Sequence, residues 1–396
     1  MGRARAFVWA TFALSLVFAL ALWWRWSEQS VPAGTLRLTR VGFSALPGWA
    51  DSDARGSLAA FRRSCDAILK LAHAPMGGVG YAGTSDDWRA VCKTASSVTD
   101  AHYFFEAWFT PFSLEAGGDS SGLFTGYYEP EIHGSKTRHD NYTIAVFGRP
   151  SDLVSVDLGL FRDVLKGERI AGRVEGNKLV PYATRTEIDK NGVPNAPILF
   201  YANDPIDVFF LQIQGSGHVM FDDGTQARVV YAGGNGRPYT AIGRVLIARG
   251  ALTKENLSMQ TVRDWLVRNP QDAQSVMEQN QSFVFFALEP LGDATLGSKG
   301  TEGVALTPEA SLAIDPGIHA FGAPLFLASS DLKRLVIAQD SGGAIRGAVR
   351  GDFYWGFGMQ AADKASRMKS DGQFFVLLPK ALADRIGEQK DFKLPP

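Results

Sequence analysis

From Gly122 onward the chain breaks into short runs of β-branched and aromatic residues, each closed by glycine, proline, asparagine or aspartate. The clearest runs are Leu123–Tyr128, Tyr142–Val146, Ile198–Tyr201 and Val208–Ile213. Each has strand length and is bounded by turn formers. Val219–Met220 and Arg228–Tyr231 flank an Asp223-Gly224 step, which predicts a hairpin. A helix pair, over 240–248 and 261–267, interrupts the pattern, and short strands resume from Leu312 to Leu378. Many short strands at loop-sized spacing favour barrels over a parallel doubly wound sheet. The expected class is mainly β with helices (α+β).

The region before Gly122 reads differently. Leu58, Phe61, Cys65, Ile68, Leu69 and Ala72 recur at helical spacing, as do Trp88, Val91 and Cys92. The aromatic run from Ala101 to Phe109 is read as a core helix or strand. Further upstream, Arg3 and Arg5 precede an uncharged, mostly apolar stretch from Ala6 to Trp24, closed by Trp23, Trp24, Arg25 and Trp26. A basic flank, a bilayer-length apolar core and interfacial tryptophans describe a membrane segment. The core is longer than that of a secretory signal peptide, which favours an uncleaved signal anchor over a cleaved signal. Both place the rest of the chain outside the cytoplasm, facing the periplasm.

With 396 residues there is room for two domains or for one with a large insertion. The net charge of −1 lacks the basic excess typical of nucleic-acid binding, so no nucleic-acid partner is expected. Two cysteines and six scattered histidines offer no metal-ligand spacing, so neither metal nor cofactor is expected. In an oxidising compartment a Cys65–Cys92 disulfide is plausible. Two separately buried thiols fit the sequence as well.

Three aspartates in the last third stand in glycine-rich surroundings: Asp315 before Pro316-Gly317, Asp340 before Ser341-Gly342-Gly343, and Asp352 between Gly351 and Phe353-Tyr354-Trp355. Glycines let the backbone turn sharply and approach a ligand. Aromatic cover over Asp352 would desolvate its carboxyl and raise its pKa, as a glycosidase acid requires. Taken singly, Asp315 and Asp340 are also natural turn formers.

Six segments carry a resemblance. They are Gly122-Leu-Phe-Thr-Gly-Tyr-Tyr-Glu-Pro130, Tyr182-Ala-Thr-Arg-Thr-Glu187, Phe210-Leu-Gln-Ile-Gln-Gly-Ser-Gly217, Tyr231-Ala-Gly-Gly-Asn-Gly-Arg-Pro-Tyr239, Gln279-Asn-Gln-Ser-Phe-Val-Phe-Phe286, and Ala338-Gln-Asp-Ser-Gly-Gly-Ala-Ile-Arg-Gly347 running on through Gly351-Asp-Phe-Tyr-Trp-Gly-Phe-Gly358. In this order they resemble the membrane-bound lytic murein transglycosylase A family, with its C-terminal three-aspartate (3D) domain.

The resemblance implies a double-psi β-barrel from residues 35–130 and 287–390, with the 3D domain at about 310–380. A smaller β-barrel-like domain is inserted at 131–286, and residues 1–34 form the signal and linker. It implies cleavage, without water, of the β-1,4 bond between N-acetylmuramic acid and N-acetylglucosamine in peptidoglycan, leaving 1,6-anhydromuramoyl ends. Asp352 matches the family's catalytic aspartate and Asp340 is expected to support it. Asp315, grouped with the substrate-binding residues, is read chiefly as holding a loop. Gln212, Gln214 and Ser216 are candidates for sugar hydroxyls and N-acetyl groups, and Tyr127 and Tyr128 for stacking on pyranose faces. Glu129 is the candidate second carboxyl: across a cleft from Asp352 it would make an ordinary muramidase possible. A non-catalytic wall-binding barrel is the other alternative.

Two features depart from the family. The best-known relatives are lipoproteins, yet no cysteine precedes Cys65. Attachment by lipid is therefore not expected there, which leaves a signal anchor or a free periplasmic form. After Gly358 the sequence reads Met359-Gln360-Ala361-Ala362, where a polar, glycine-containing turn is expected.

Overall fold

Six of the short strands close on themselves. In the computed structural model, which describes Pro32 and residues 34–165 and 169–395, they are β3 (Gly122–Glu129), β13 (Ser311–Ile314), β14 (Pro324–Ser329), β15 (Lys333–Ser341), β16 (Arg350–Phe357) and β17 (Lys369–Pro379). Hydrogen-bonded order runs β14–β15–β13–β16–β3–β17, and β17 returns to β14, so the ring has no free edge. Two of its pairings, β13–β15 and β16–β3, are parallel and the others antiparallel. This is the double-psi barrel. The long strand β17 leaves the ring at its far end to pair with β2 (Phe109–Ala116), which extends through β1 (Thr35–Arg40) to β18 (Gln389–Lys393).

Three helices from the first part of the chain pack on this body. Helix Arg55–Ile68 buries Leu58, Phe61, Cys65 and Ile68, and helix Ser85–Ala95 buries Trp88, Val91, Cys92 and Ala95. The first ends at Ile68, so Ala72 lies beyond it and is exposed. Sulfurs of Cys65 and Cys92 are joined in a disulfide between the two helices. The aromatic run is helix as far as Trp108 and strand from Phe109, with Phe104, Phe105 and Phe109 buried around Phe61. At about 1.5–3 kcal/mol for each such side chain removed from water, this cluster fixes the helices to the barrel far more firmly than any surface contact.

The second sheet begins two residues after β3 ends. Its strands are β4 (Glu131–Ser135), β5 (Ile144–Phe147), β9 (Ile198–Ala202), β10 (Gly217–Phe221), β11 (Gln226–Gly234) and β12 (Val284–Pro290). They lie in the order β12–β11–β10–β4–β9–β5, and a single bridge from Gly148 to Phe286 draws the two edges together. The Asp223-Gly224 hairpin joins β10 to β11 as expected. A separate three-stranded sheet holds β6 (Val154–Asp157), β7 (Arg169–Glu175) and β8 (Lys178–Val180).

One expected strand is a helix. Val208–Ile213 lies within helix Pro205–Gln214, started by the Asp204 side chain accepting from the Ile206 amide, with Pro205 in its first turn and Gly215 left-handed at φ +83° beyond its end. It looks strand-like because it is apolar on two sides. Val208 and Leu211 pack on the second sheet, whereas Ile206, Phe209 and Phe210 pack on helices Ile242–Ala248, Met259–Arg268 and Pro270–Met277. The last of these extends the expected pair to three.

Residues 6–24, the expected membrane segment, lie outside the described residues. Among the described residues no helix is long and apolar enough to cross a membrane.

Candidate active site

Strand register brings two of the three aspartates into one row. Asp340 on β15 stands opposite Ala313 on β13, Ala313 opposite Asp352 on β16, and Asp352 opposite Thr125 on β3. Residues directly opposite share a face. Phe353 and Phe124, the sequence neighbours of Asp352 and Thr125, are fully buried in the barrel, so the aspartate and the threonine project outward. Between the two carboxylates the row offers only the methyl group of Ala313.

The two aspartates differ in their surroundings. Asp340 accepts from the Tyr127 hydroxyl at 2.9 Å and from both the amide and the hydroxyl of Thr301 at 2.9 Å. Burial raises its pKa against those bonds. Asp352 is half-buried and accepts one side-chain hydrogen bond, from the Thr125 hydroxyl at 2.6 Å. Burial pushes its pKa up to about 6, opposed by the Thr125 bond and the Arg350 charge and reinforced by Asp340. The Arg350 guanidinium donates to the same Thr125 oxygen at 2.9 Å, so cation, hydroxyl and carboxyl form a line. A carboxyl poised near neutrality on an outward face can both give and take a proton.

Asp315 does not join the row. It is 8% exposed, and its carboxylate accepts from the amides of Gly317 and Gly347, tying the glycine-rich segment 342–347 to the end of β13. It supports the loop that leaves Asp340.

Glu129 lies nowhere open to a cleft. At 1% exposure it accepts from the Ser298 amide at 2.6 Å and the Ser216 hydroxyl at 3.3 Å, with His218 at 3.1 Å and Arg228 at 3.7 Å. Arg228 in turn donates to the carbonyls of Leu291, Asp293 and Leu296. The cluster therefore pins both places where the chain passes between the two sheets. The condition for a second active-site carboxyl, Glu129 lying across an open cleft from Asp352, is not met by this buried side chain.

Gln212 is also turned inward. It is 7% exposed and its amide oxygen accepts from the buried guanidinium of Arg185 at 2.6 Å. Gln214 accepts from the Tyr128 amide at 3.4 Å, linking the insert helix to β3. Tyr128 lines a shallow hollow with Phe210, Met259, Arg263, Ala362 and Ser366, between insert helices and helix Gly358–Arg367. Tyr127 is committed to Asp340 and packs against Tyr354, ring centres 5.2 Å apart. The segment after Gly358, where a turn is expected, is the start of that helix. Gly356 at φ +106° and Gly358 at φ +76° make the sharp exit from β16.

Thr125, Thr301, Ala313 and Arg350 were not singled out from sequence. Thr125 lies inside a quoted segment and Arg350 adjoins another, but only register reveals their roles. Nothing in the sequence around Thr301 marks it.

A closed double-psi barrel interrupted by a curled β-rich insert, with two aspartates of raised pKa in one row on its face, is a defined class. The MltA specific insert domain matches residues 123–287 and the 3D domain residues 310–378. The membrane-bound lytic murein transglycosylase A of Escherichia coli K12 is 31% identical over 312 residues, covering 75% of this chain and 77% of the relative. A crystal structure of membrane-bound lytic murein transglycosylase from Agrobacterium tumefaciens superposes with TM-score 0.77 at 29% identity, over 88% of this chain and 99% of that one. Escherichia coli MltA with bound chitohexaose gives TM-score 0.65 at 26% identity, over 88% and 95%. The chain belongs to the membrane-bound lytic murein transglycosylase A family.

Proposed function

We propose that this protein is a peptidoglycan lytic transglycosylase, a lyase, in which Asp352 serves as both acid and base. The observation that carries the reading is the pairing of one half-buried carboxyl, its pKa near 6, with a neighbour, Asp340, that already accepts three hydrogen bonds. Protonated Asp352 donates to the glycosidic oxygen as the bond from muramic C1 breaks, and positive charge develops at C1. The C6 hydroxyl of the same sugar attacks C1 and gives its proton to the Asp352 carboxylate. One C–O bond breaks, one forms, and Asp352 is protonated again for the next turnover. Holding the C6 hydroxyl over C1 gives the intramolecular advantage that replaces water. Asp340, held by Tyr127 and Thr301, offers negative charge towards C1 across Ala313.

The relative crystallised with chitohexaose supports a β-1,4-linked amino-sugar strand as ligand. Sealing of Glu129 favours this reading over a water-using muramidase. Sheet membership supports division of the chain at 130/131, whereas the boundary expected at 286/287 falls inside β12, which stays paired with the insert sheet to Pro290. The Cys65–Cys92 disulfide supports a location outside the cytoplasm, with the N-terminal segment as membrane anchor. Gln214, Ser216 and Tyr128 would line the insert side of the glycan groove.

The test is mass spectrometry of muropeptides released from purified sacculi by the detergent-solubilised protein and by Asp352→Asn. The expected result is 1,6-anhydromuramic ends from the first and none from the second. Reducing ends, heavier by one water, would make the protein a hydrolase.

A further inference from the structure

The row that carries the acid does not stop at Thr125. Lys369, the first residue of β17, stands directly opposite Thr125, so the row reads Asp340, Ala313, Asp352, Thr125, Lys369 across five strands. Lys369 is exposed, with Met368 and Ser370 buried on either side, so its side chain leaves the barrel on the face that bears Asp352. In the next row the charges oppose each other: Arg350 on β16 and Asp371 on β17 flank Leu123. Arg350 is moreover engaged with the carbonyls of Leu123 and Gly351 and with Thr125. Among the described residues Lys369 makes no salt bridge. It is the one cation of the acid's row, two strands from Asp352 on the side away from Asp340.

The site is thus electrically polarised about its acid. At about 4.8 Å between strands, Lys369 and Asp340 lie roughly 10 Å from Asp352 in opposite directions, measured along the backbone. Negative charge on the Asp340 side suits the carbon that becomes positive. A cation on the opposite side suits an anion on the same sugar. The glycan backbone itself is neutral. In a murein strand the anions are carboxylates borne through the 3-position of muramic acid, either on the bare lactyl group or on the stem peptide that extends it.

We propose that Lys369 is a specificity residue that binds a carboxylate on the 3-substituent of the muramic sugar, and so turns that sugar with C1 towards Asp340. The proposal rests on the transglycosylase reading. It separates murein from chitin oligomers, which share the β-1,4 backbone and carry no such anion.

The experiment compares the protein with Lys369→Met, which keeps the stem without the charge, and Lys369→Arg, which keeps the charge. Three probes are used: peptide-free murein glycan, peptide-bearing glycan, and chitohexaose. Lys369→Met is expected to raise KM about three- to tenfold on a murein probe, with kcat nearly unchanged, the range of a partly exposed charge contact. The difference should shrink with added salt, Lys369→Arg should restore most of it, and chitohexaose affinity should stay the same. Loss on peptide-free glycan assigns the lactyl carboxylate, whereas loss confined to peptide-bearing glycan assigns the stem. Equal weakening towards chitohexaose, or no change on either murein probe, overturns the proposal. Binding measured in the Asp352→Asn background gives the same comparison without turnover, so a failed transglycosylase reading is distinguished from a failed Lys369 subsite.

Discussion

The Thr125 hydroxyl sits 2.6 Å from the Asp352 carboxylate and belongs to the strand that pairs with it in parallel register. Because that hydroxyl also accepts from Arg350, its proton is directed at the acid. The bond stabilises the carboxylate and holds the Asp352 pKa below the level that burial alone would set. Replacement by valine removes it. The Asp352 pKa should then rise, and the alkaline limb of the kcat/KM profile, expected near pH 6, should move to higher pH. An unmoved limb in Thr125→Val would show that the hydroxyl does not bear on the acid's ionisation.

The same raised pKa affects stability. A carboxyl near 3.8 in the unfolded chain and about 6 in the folded one binds more protons when folded between those values. Stability that is full below pH 4 is therefore lost as pH rises through 6. Asp352→Asn has no charge to bury. It should match the parent protein at pH 4 and exceed it by about 1–3 kcal/mol at pH 8. Urea unfolding at the two pH values measures the difference, and a constant gap would contradict the assignment.

Glu129 tests whether a second carboxyl takes part. Glu129→Gln keeps the shape and should still release 1,6-anhydromuramic ends. Glu129→Ala leaves the Arg228 guanidinium buried without its counter-charge and His218 without its partner. Loss of one partner from a buried ionic cluster costs about 3–5 kcal/mol. The alanine variant should thus unfold at much lower urea while any folded fraction keeps the same product. A switch to reducing-end products in Glu129→Gln would return Glu129 to the chemistry.

Much of the fold was legible because short strands with Gly, Asp and Pro at their ends have few other uses, as the hairpin at Asp223-Gly224 illustrates. Val208–Ile213 misled because burial on two sides erases the helical stripe, leaving Asp204-Pro205 and Gly215 as the only local signs of a helix. The aspartates were legible through their glycine context and the family pattern. Their partners were not, because Thr125 reaches Asp352 across 227 positions of sequence and Thr301 reaches Asp340 from a loop without a motif. Gln212 and Glu129 show the converse: polar residues in a family segment whose side chains hold the scaffold.

The disulfide offers the last test. Cys65 and Cys92 are 27 residues apart and join the two helices that pack on the barrel beside Trp88 and Phe61. The segment they close contains the turn from Leu71 to Gly83, which has few buried side chains to order it. Cross-linking such a loop restricts the unfolded chain and typically contributes about 2–4 kcal/mol. The Cys65→Ser/Cys92→Ser double variant should therefore unfold at a clearly lower urea midpoint. Reduction of the parent protein should reproduce that midpoint, and reduction of the variant should change nothing. Equal midpoints for parent and variant would mean that the aromatic packing between the helices already supplies the constraint.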